Sequence, residues 1–182
     1  MVDPSDLTER QRRNLFSRKW MNPTGQCAGN KRLRDGYGYF GAGRDDGSYH
    51  GALDFPGDDV QMPTDARLLE IKDAGKEGHT LIFDLGDGMQ LAMHHVKPSA
   101  DLLRYWRSLQ GLEPYSRGGT IRAGALLGKV DKKARDHVHL QITGIGGTLN
   151  GVRLSRRLDK NGQIVGMKQG GFVVDPTMLF GC

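Results

Sequence analysis

Six histidines stand in this 182-residue chain, and five of them fall in three short clusters. The first is Asp136-His137-Val138-His139-Leu140. On a strand, side chains alternate faces, so His137 and His139 point the same way while Val138, Leu140 and Ile142 point to a core. Two same-face imidazoles lie about 6.5–7 Å apart along a strand. That spacing is too wide for both to grip one small ion, but it lets one ligate while the other acts on bound water. Two surface histidines on a solvated face would give the same pattern.

The second cluster is Tyr49-His50-Gly51-Ala52-Leu53-Asp54-Phe55. In an extended segment His50, Ala52 and Asp54 share a face, with Leu53 and Phe55 turned to the core. An imidazole and a carboxylate flanking a small residue suit zinc, which takes nitrogen and oxygen ligands at about 2.0–2.2 Å. A partly buried His–Asp ion pair is the plainer alternative. The third cluster is His94-His95, within Leu91 to Pro98. Adjacent strand residues face opposite ways, so only one of the two is expected to look into a shared site. His79 has no partner nearby and reads as structural or surface. Together, HxxxD and HxH supply three ligands with one histidine to spare. Three protein ligands leave a fourth position for water, which marks catalytic rather than structural zinc.

These residues need strands to hold them, and the chain supplies strand signals. Short apolar runs at 49–55, 67–72, 79–85, 89–96 and 136–143 alternate with many of the 27 glycines. Gly86-Asp87-Gly88 predicts a hairpin turn, and Asn161-Gly162 a second one. Residues 5 to 20 predict a basic helix capped by Ser5 or Asp6, with Leu7, Leu15, Phe16 and Trp20 as its apolar side. Leu102, Leu103, Trp106 and Leu109 recur at helical spacing, with Ser99 to start that helix and Gly111 to stop it. The expected architecture is mainly β. It is a small antiparallel sheet or sandwich with an N-terminal helix and one inserted helix. Residues 1–36 form a helix-and-loop extension, and 37–182 a β domain with insertions near 99–118 and 150–170.

Composition narrows the function. Hydrophobic residues at 37% and charged ones at 26% describe a globular chain. The net charge of +5 favours anionic partners. The basic residues are spread along the chain without a nucleic-acid motif, so no nucleic-acid partner is expected. No apolar run is long enough to span a membrane. Cys27 and Cys182 fit no zinc-finger spacing; they are either two free thiols or a disulfide pinning the C-terminus. The first ten residues lack the apolar core of a signal peptide.

The segment from Gly38 through Arg44 to His50 and Asp54 resembles the lysostaphin/LytM-type zinc endopeptidases. Those proteins carry a glycine, aromatic, glycine and arginine stretch leading into HxGxD. Asp136-His137-Val-His139-Leu-Gln-Ile is similar to that family's second motif, HxH followed by an apolar strand. Leu91–Val96 resembles the strand bearing its further active-site histidine. Ile121–Gly128 and Val174-Asp175-Pro176 are similar to its later turn and C-terminal Asp-Pro. The resemblance implies a Zn2+ ion bound by His50, Asp54 and His139, with His137 and His95 catalytic and His94 the alternative to His95. It implies an endopeptidase cutting peptide cross-links or stems of bacterial peptidoglycan. A lysin or secreted antibacterial effector fits, as does an inhibitor or immunity protein for a partner. Action would be extracytoplasmic, in periplasm or cell wall; without a signal peptide, export would be non-classical. A non-catalytic metal-binding recognition module on the same scaffold is the alternative. The sequence departs from the family at Met93, where tyrosine is usual, and at Lys129–Arg135, which replaces a glycine-rich run.

Overall fold

A computed structural model describes residues 7–29, 38–40, 42, 50–112, 118–145 and 171–182. Among them the protein is mainly β. Helix α1 (Glu9–Ser17) precedes strands β1 (Leu53–Pro56), β2 (Asp59–Gln61), β3 (Ala66–Asp73), β4 (His79–Gly86) and β5 (Met89–Pro98). Helix α2 (Ala100–Leu109) follows, then β6 (Thr120–Ile121), β7 (Leu126–Val130), β8 (His137–Ile145) and β9 (Gly171–Val174). The strands form one sheet with the path β1-β8-β5-β4-β3-β6, and every pairing is antiparallel.

The β4–β5 hairpin follows from its turn. Asp87 and Gly88 both take positive φ, +52° and +74°, and link two strands closed by the Gly86–Met89 pair. A two-residue loop of that kind matches strand twist, and Asp-Gly tolerates it best. Alternation then fixes the faces: Met89, Leu91 and Met93 of β5 are buried, as are Val138, Leu140 and Ile142 of β8. Those side chains join Phe55, Phe83, Leu68 and Leu81 in a single core.

Two strands divide an edge of their neighbour. β5 pairs with β8 from Met89 to His94, then with β7 from Val96 to Pro98. β8 pairs with β1 over His137–Leu140 and with β9 over Ile142–Ile145. The β5–β7 crossing is tight. A Cβ on Gly128 would lie 2.1 Å from the Lys97 carbonyl, so only glycine fits there.

The inserted helix starts where expected, with the Ser99 hydroxyl accepting from the Leu102 amide. The N-terminal helix differs in detail. Thr8 caps it through a capping box with Gln11. Leu15 is buried, but Phe16 is 45% exposed, so Phe16 is not on the core side as the periodicity suggested. Strands β2, β6, β7 and β9 were not anticipated; they are two to five residues long, too short for a periodic signal. The hairpin expected at Asn161-Gly162 lies outside the described residues. Cys27 and Cys182 are joined by a disulfide with 5.6 Å between their Cα atoms.

Candidate metal centre

Three adjacent strands set the site in one row. Asp54 of β1 pairs with His139 of β8, which pairs on its other side with His94 of β5. Directly paired residues share a face, so register alone brings the carboxylate and both imidazoles together. His50 joins from the segment before β1. Its amide donates to the Ala42 carbonyl, and the Asp54 amide donates to Gly38. Residues 38 and 42 are thus hydrogen-bonded to this stretch, in which His50 is 3% and Asp54 4% exposed. The Gln141 amide donates to the Gly51 carbonyl, and Gly29 N–H to the Asp54 carbonyl.

The polar atoms converge closely. His50 Nε2 is 3.0 Å from His139 Nδ1 and 3.1 Å from Asp54 Oδ1, and His139 Nδ1 is 3.0 Å from the same oxygen. Ligand atoms of the three residues all lie within 4.8 Å of one another. Four tetrahedral ligands at about 2.0–2.1 Å stand about 3.3–3.4 Å apart, so the trio needs to open by only a few tenths of an ångström to hold zinc.

The proton inventory makes the same case. His50 Nδ1 sits 3.0 Å from the Tyr39 carbonyl, which can only accept, so that nitrogen carries the hydrogen. A neutral His50 then turns the lone pair of Nε2 toward the Asp54 carboxylate. Two acceptors at hydrogen-bond distance need a donor or cation between them: the Nδ1–H of His139, 3.0 Å from both, a proton on His50 Nε2, or a metal ion. Fixing one ring nitrogen on a carbonyl while the other faces the ion is how ligating histidines are ordinarily held. Burial alone would raise the Asp54 pKa, but hydrogen bonds with His139 and His50 outweigh it and hold the carboxyl well below its usual range. Burial lowers the His139 pKa despite its bond to Asp54. An ionised carboxylate with two imidazole nitrogens within 3.1 Å of it is a ligand set suited to a cation.

Two further histidines flank this trio. His137 Nε2 is 3.5 Å from Asp54 Oδ2, and its Nδ1 is 2.9 Å from the Asp136 carboxylate. His95 packs its ring against that of His137, with centroids 5.5 Å apart and planes perpendicular. Its Nδ1 is 2.9 Å from the Glu77 carbonyl, and burial is the main force lowering its pKa.

Both His94 and His95 lie on the site side, which corrects the expectation that only one would. Strict alternation fails because β5 bulges: His79 pairs with Val96 but Leu81 with Met93, so two residues oppose Thr80. His95 takes φ of +64° to make the bulge, at the point where β5 changes partner from β8 to β7. His94 packs on His139 at 5.1 Å between ring centroids and sits 3.0 Å from the Thr80 hydroxyl. His79 begins β4, paired with Asp73 and Val96.

The supporting residues were harder to foresee. Asp136 adjoins His137 in sequence and was open to inspection. Tyr39, Glu77, Thr80 and Gln141 act through backbone groups or contacts across strands, which leave no local signal.

No family model matches the chain, and no curated protein matches it. Several solved structures are similar. CbpA from L. salivarius REN shares 17% identity, with a TM-score of 0.48 over 81% of this chain and 86% of that one. Lysostaphin shares 17%, with a TM-score of 0.41 over 59% and 42%. The SpoIIQ–SpoIIIAH pore-forming complex shares 11%, with a TM-score of 0.41 over 69% and 83%. No described helix is long and apolar enough to cross a membrane.

Proposed function

We propose that this protein is a zinc-dependent endopeptidase acting on the peptide part of bacterial peptidoglycan. The observation that carries this reading is the convergence of His50, Asp54 and His139 ligand atoms in a buried cluster, with two more imidazoles beside it. The substrate class rests on the resemblance of the His50–Asp54 and His137–His139 motifs to the lysostaphin/LytM-type enzymes.

His50 Nε2, Asp54 Oδ1 and His139 Nδ1 would hold the ion. Bound there, zinc would supply Lewis acidity for a scissile carbonyl and would lower the pKa of water toward about 7. The remaining chemistry belongs to the flanking histidines. Asp136 accepts from His137 Nδ1–H, which fixes the tautomer and leaves Nε2 free to take a proton. His137 Nε2 is therefore the general base. His95 is anchored by its Nδ1–H donating to the Glu77 carbonyl, and its ring stands perpendicular to that of His137. The proton that His137 takes from water would pass to the leaving amine, directly or through His95 Nε2, which would donate a hydrogen bond to the developing oxyanion while it carries that proton. An oxidising, extracytoplasmic place of action fits the Cys27–Cys182 bridge.

Purified peptidoglycan incubated with the protein, with and without a chelator, tests the reading. Release of new amino termini that stops with chelator and returns with zinc is expected. His137→Ala should keep zinc and lose cleavage, whereas His50→Ala should lose both. Full zinc content with no amine released from any peptidoglycan would indicate a metal-dependent binding module instead.

A further inference from the structure

The two imidazoles beside the candidate metal centre stand on different strands, and the sheet ladder does not join them. Among the described residues, β5 and β8 pair no further than His94 and His139; beyond that point β5 pairs with β7. His137 pairs with Pro56 of β1 instead. The 5.5 Å between the His95 and His137 rings is thus set by what holds each ring from outside the ladder.

His95 is gripped by two neighbouring segments. The 3-10 turn Gly75–Glu77 offers the Glu77 carbonyl to His95 Nδ1 at 2.9 Å. The loop between β7 and β8 donates the Asp131 amide to the His95 carbonyl, also at 2.9 Å. That loop is closed on itself: the Ala134 and Arg135 amides donate to the Asp131 carbonyl, and the Lys133 amide to the Asp131 carboxylate. It runs directly into Asp136 and His137. The turn and the loop meet at Gly78, which takes a φ of +78°. A Cβ there would lie 3.2 Å from the Asp131 carboxylate and 3.4 Å from the His95 Cα. One ion pair also ties them, with Arg135 Nη2 at 3.1 Å from both oxygens of Glu77. The same carboxylate stands 3.7 Å from His95 Nδ1. Glu77 therefore touches His95 with its carbonyl and Arg135 with its carboxylate, and Arg135 lies two residues before His137.

We infer that Glu77 and Arg135 are positioning residues, whose ion pair joins the turn that holds His95 to the loop that delivers His137 and so sets the spacing of the two imidazoles. The effect on turnover rests on the peptidase reading; the effect on the His95 ring does not. Acid–base groups work only when they are held in mutual register, so a small displacement of one ring lowers turnover without disturbing the ion. The pair is partly exposed, 51% at the Arg135 side chain and 34% at Glu77, so it holds little folding energy. Its loss is thus expected in turnover and ring order, with stability largely kept. Arg135 closes the Lys129–Arg135 segment, where this chain departs from the family it resembles, so the link is a feature of this chain.

The test uses the full chain and compares Glu77→Ala, Arg135→Ala, the double variant and Arg135→Lys. With zinc-loaded protein and peptidoglycan, each alanine variant should lose about two- to fivefold in kcat, the size an exposed ion pair supports, with KM and zinc content unchanged. The double variant should lose no more than either single one, because one contact is broken only once. Arg135→Lys should restore most of kcat, since a single nitrogen, Nη2, reaches the carboxylate and an ammonium can stand in for it. Unchanged kcat, additive losses, or a fall in zinc content that accounts for the loss would overturn the proposal. A second readout needs no activity. In NMR imidazole N–H spectra of metal-free protein, the His95 Nδ1–H should exchange faster with solvent in both alanine variants and slow again in Arg135→Lys. If the native protein releases no amine from peptidoglycan, the peptidase reading fails and this signal decides alone. A His95 Nδ1–H that exchanges equally in the native protein and both alanine variants would overturn the proposal.

Discussion

Removing the Cys27–Cys182 disulfide tests how the termini support the metal centre. The bridge closes a loop across 155 positions, most of the chain. Loop-closure entropy for that length amounts to about 5 kcal/mol, and natural disulfides generally contribute about 2–5 kcal/mol. The structure argues for the upper part of that range, because the bridge ends in packed segments on both sides. Phe180 stacks edge-on against Trp20 at 5.5 Å and against Phe55 of β1 at 5.1 Å. Thr24 donates to the Pro56 carbonyl and Gly29 to the Asp54 carbonyl, so the Cys27 loop braces the strand that carries Asp54. The double variant Cys27→Ser, Cys182→Ser should therefore lose about 3–5 kcal/mol, lowering the melting temperature by roughly 6–20 °C. Urea titration of metal-free protein, followed by the fluorescence of Trp20 and Trp106, reads the loss as an earlier midpoint, and reduced wild type should overlay the variant. Zinc affinity should fall as well, since Asp54 loses part of its scaffold. A midpoint within about 0.2 M of the oxidised wild type would refute the reasoning, given urea slopes of about 1–3 kcal/mol per molar.

Other perturbations follow from the site. His95 holds φ of +64°, which costs a side-chain-bearing residue about 1 kcal/mol that glycine does not incur. His95→Gly should thus be more stable than His95→Ala by about that amount in urea, while both lose peptidase activity alike. Asp136→Asn should leave zinc content intact and lower kcat by about 10²–10⁴-fold, because the amide no longer fixes the His137 tautomer. Burial places His95 and His139 below the ordinary imidazole value of 6.5, so the unfolded chain protonates first. Metal-free protein should keep full stability above about pH 6.5 and lose it as pH falls below that; a midpoint that rises on acidification would contradict this. Leu140→Ala, at a site with no exposure between His139 and Gln141, should cost about 2–5 kcal/mol in the same assay.

Much of the site was legible because strand geometry is periodic. HxH on β8 and the His50–Asp54 spacing announce a shared face, and cross-strand register does the rest. The hairpin at Asp87-Gly88 and the helix begun by Ser99 were legible because each has a local chemical cause. What failed did so for nonlocal reasons. The bulge at His94–His95 depends on β5 exchanging β8 for β7, an event no window on β5 contains. Phe16 looked like a core residue by type, but the helix packs through Leu15 instead. Strands β2, β6, β7 and β9 exist because longer neighbours offer them an edge.

Equilibrium zinc binding to the chelator-stripped protein, beside His50→Ala and His139→Ala, reaches the central claim most directly. One ion per chain, bound tightly by the native protein and lost from both variants, is the expected result. Full stoichiometric zinc retained by either variant would mean that the ion is held elsewhere and that the clustered side chains serve another purpose.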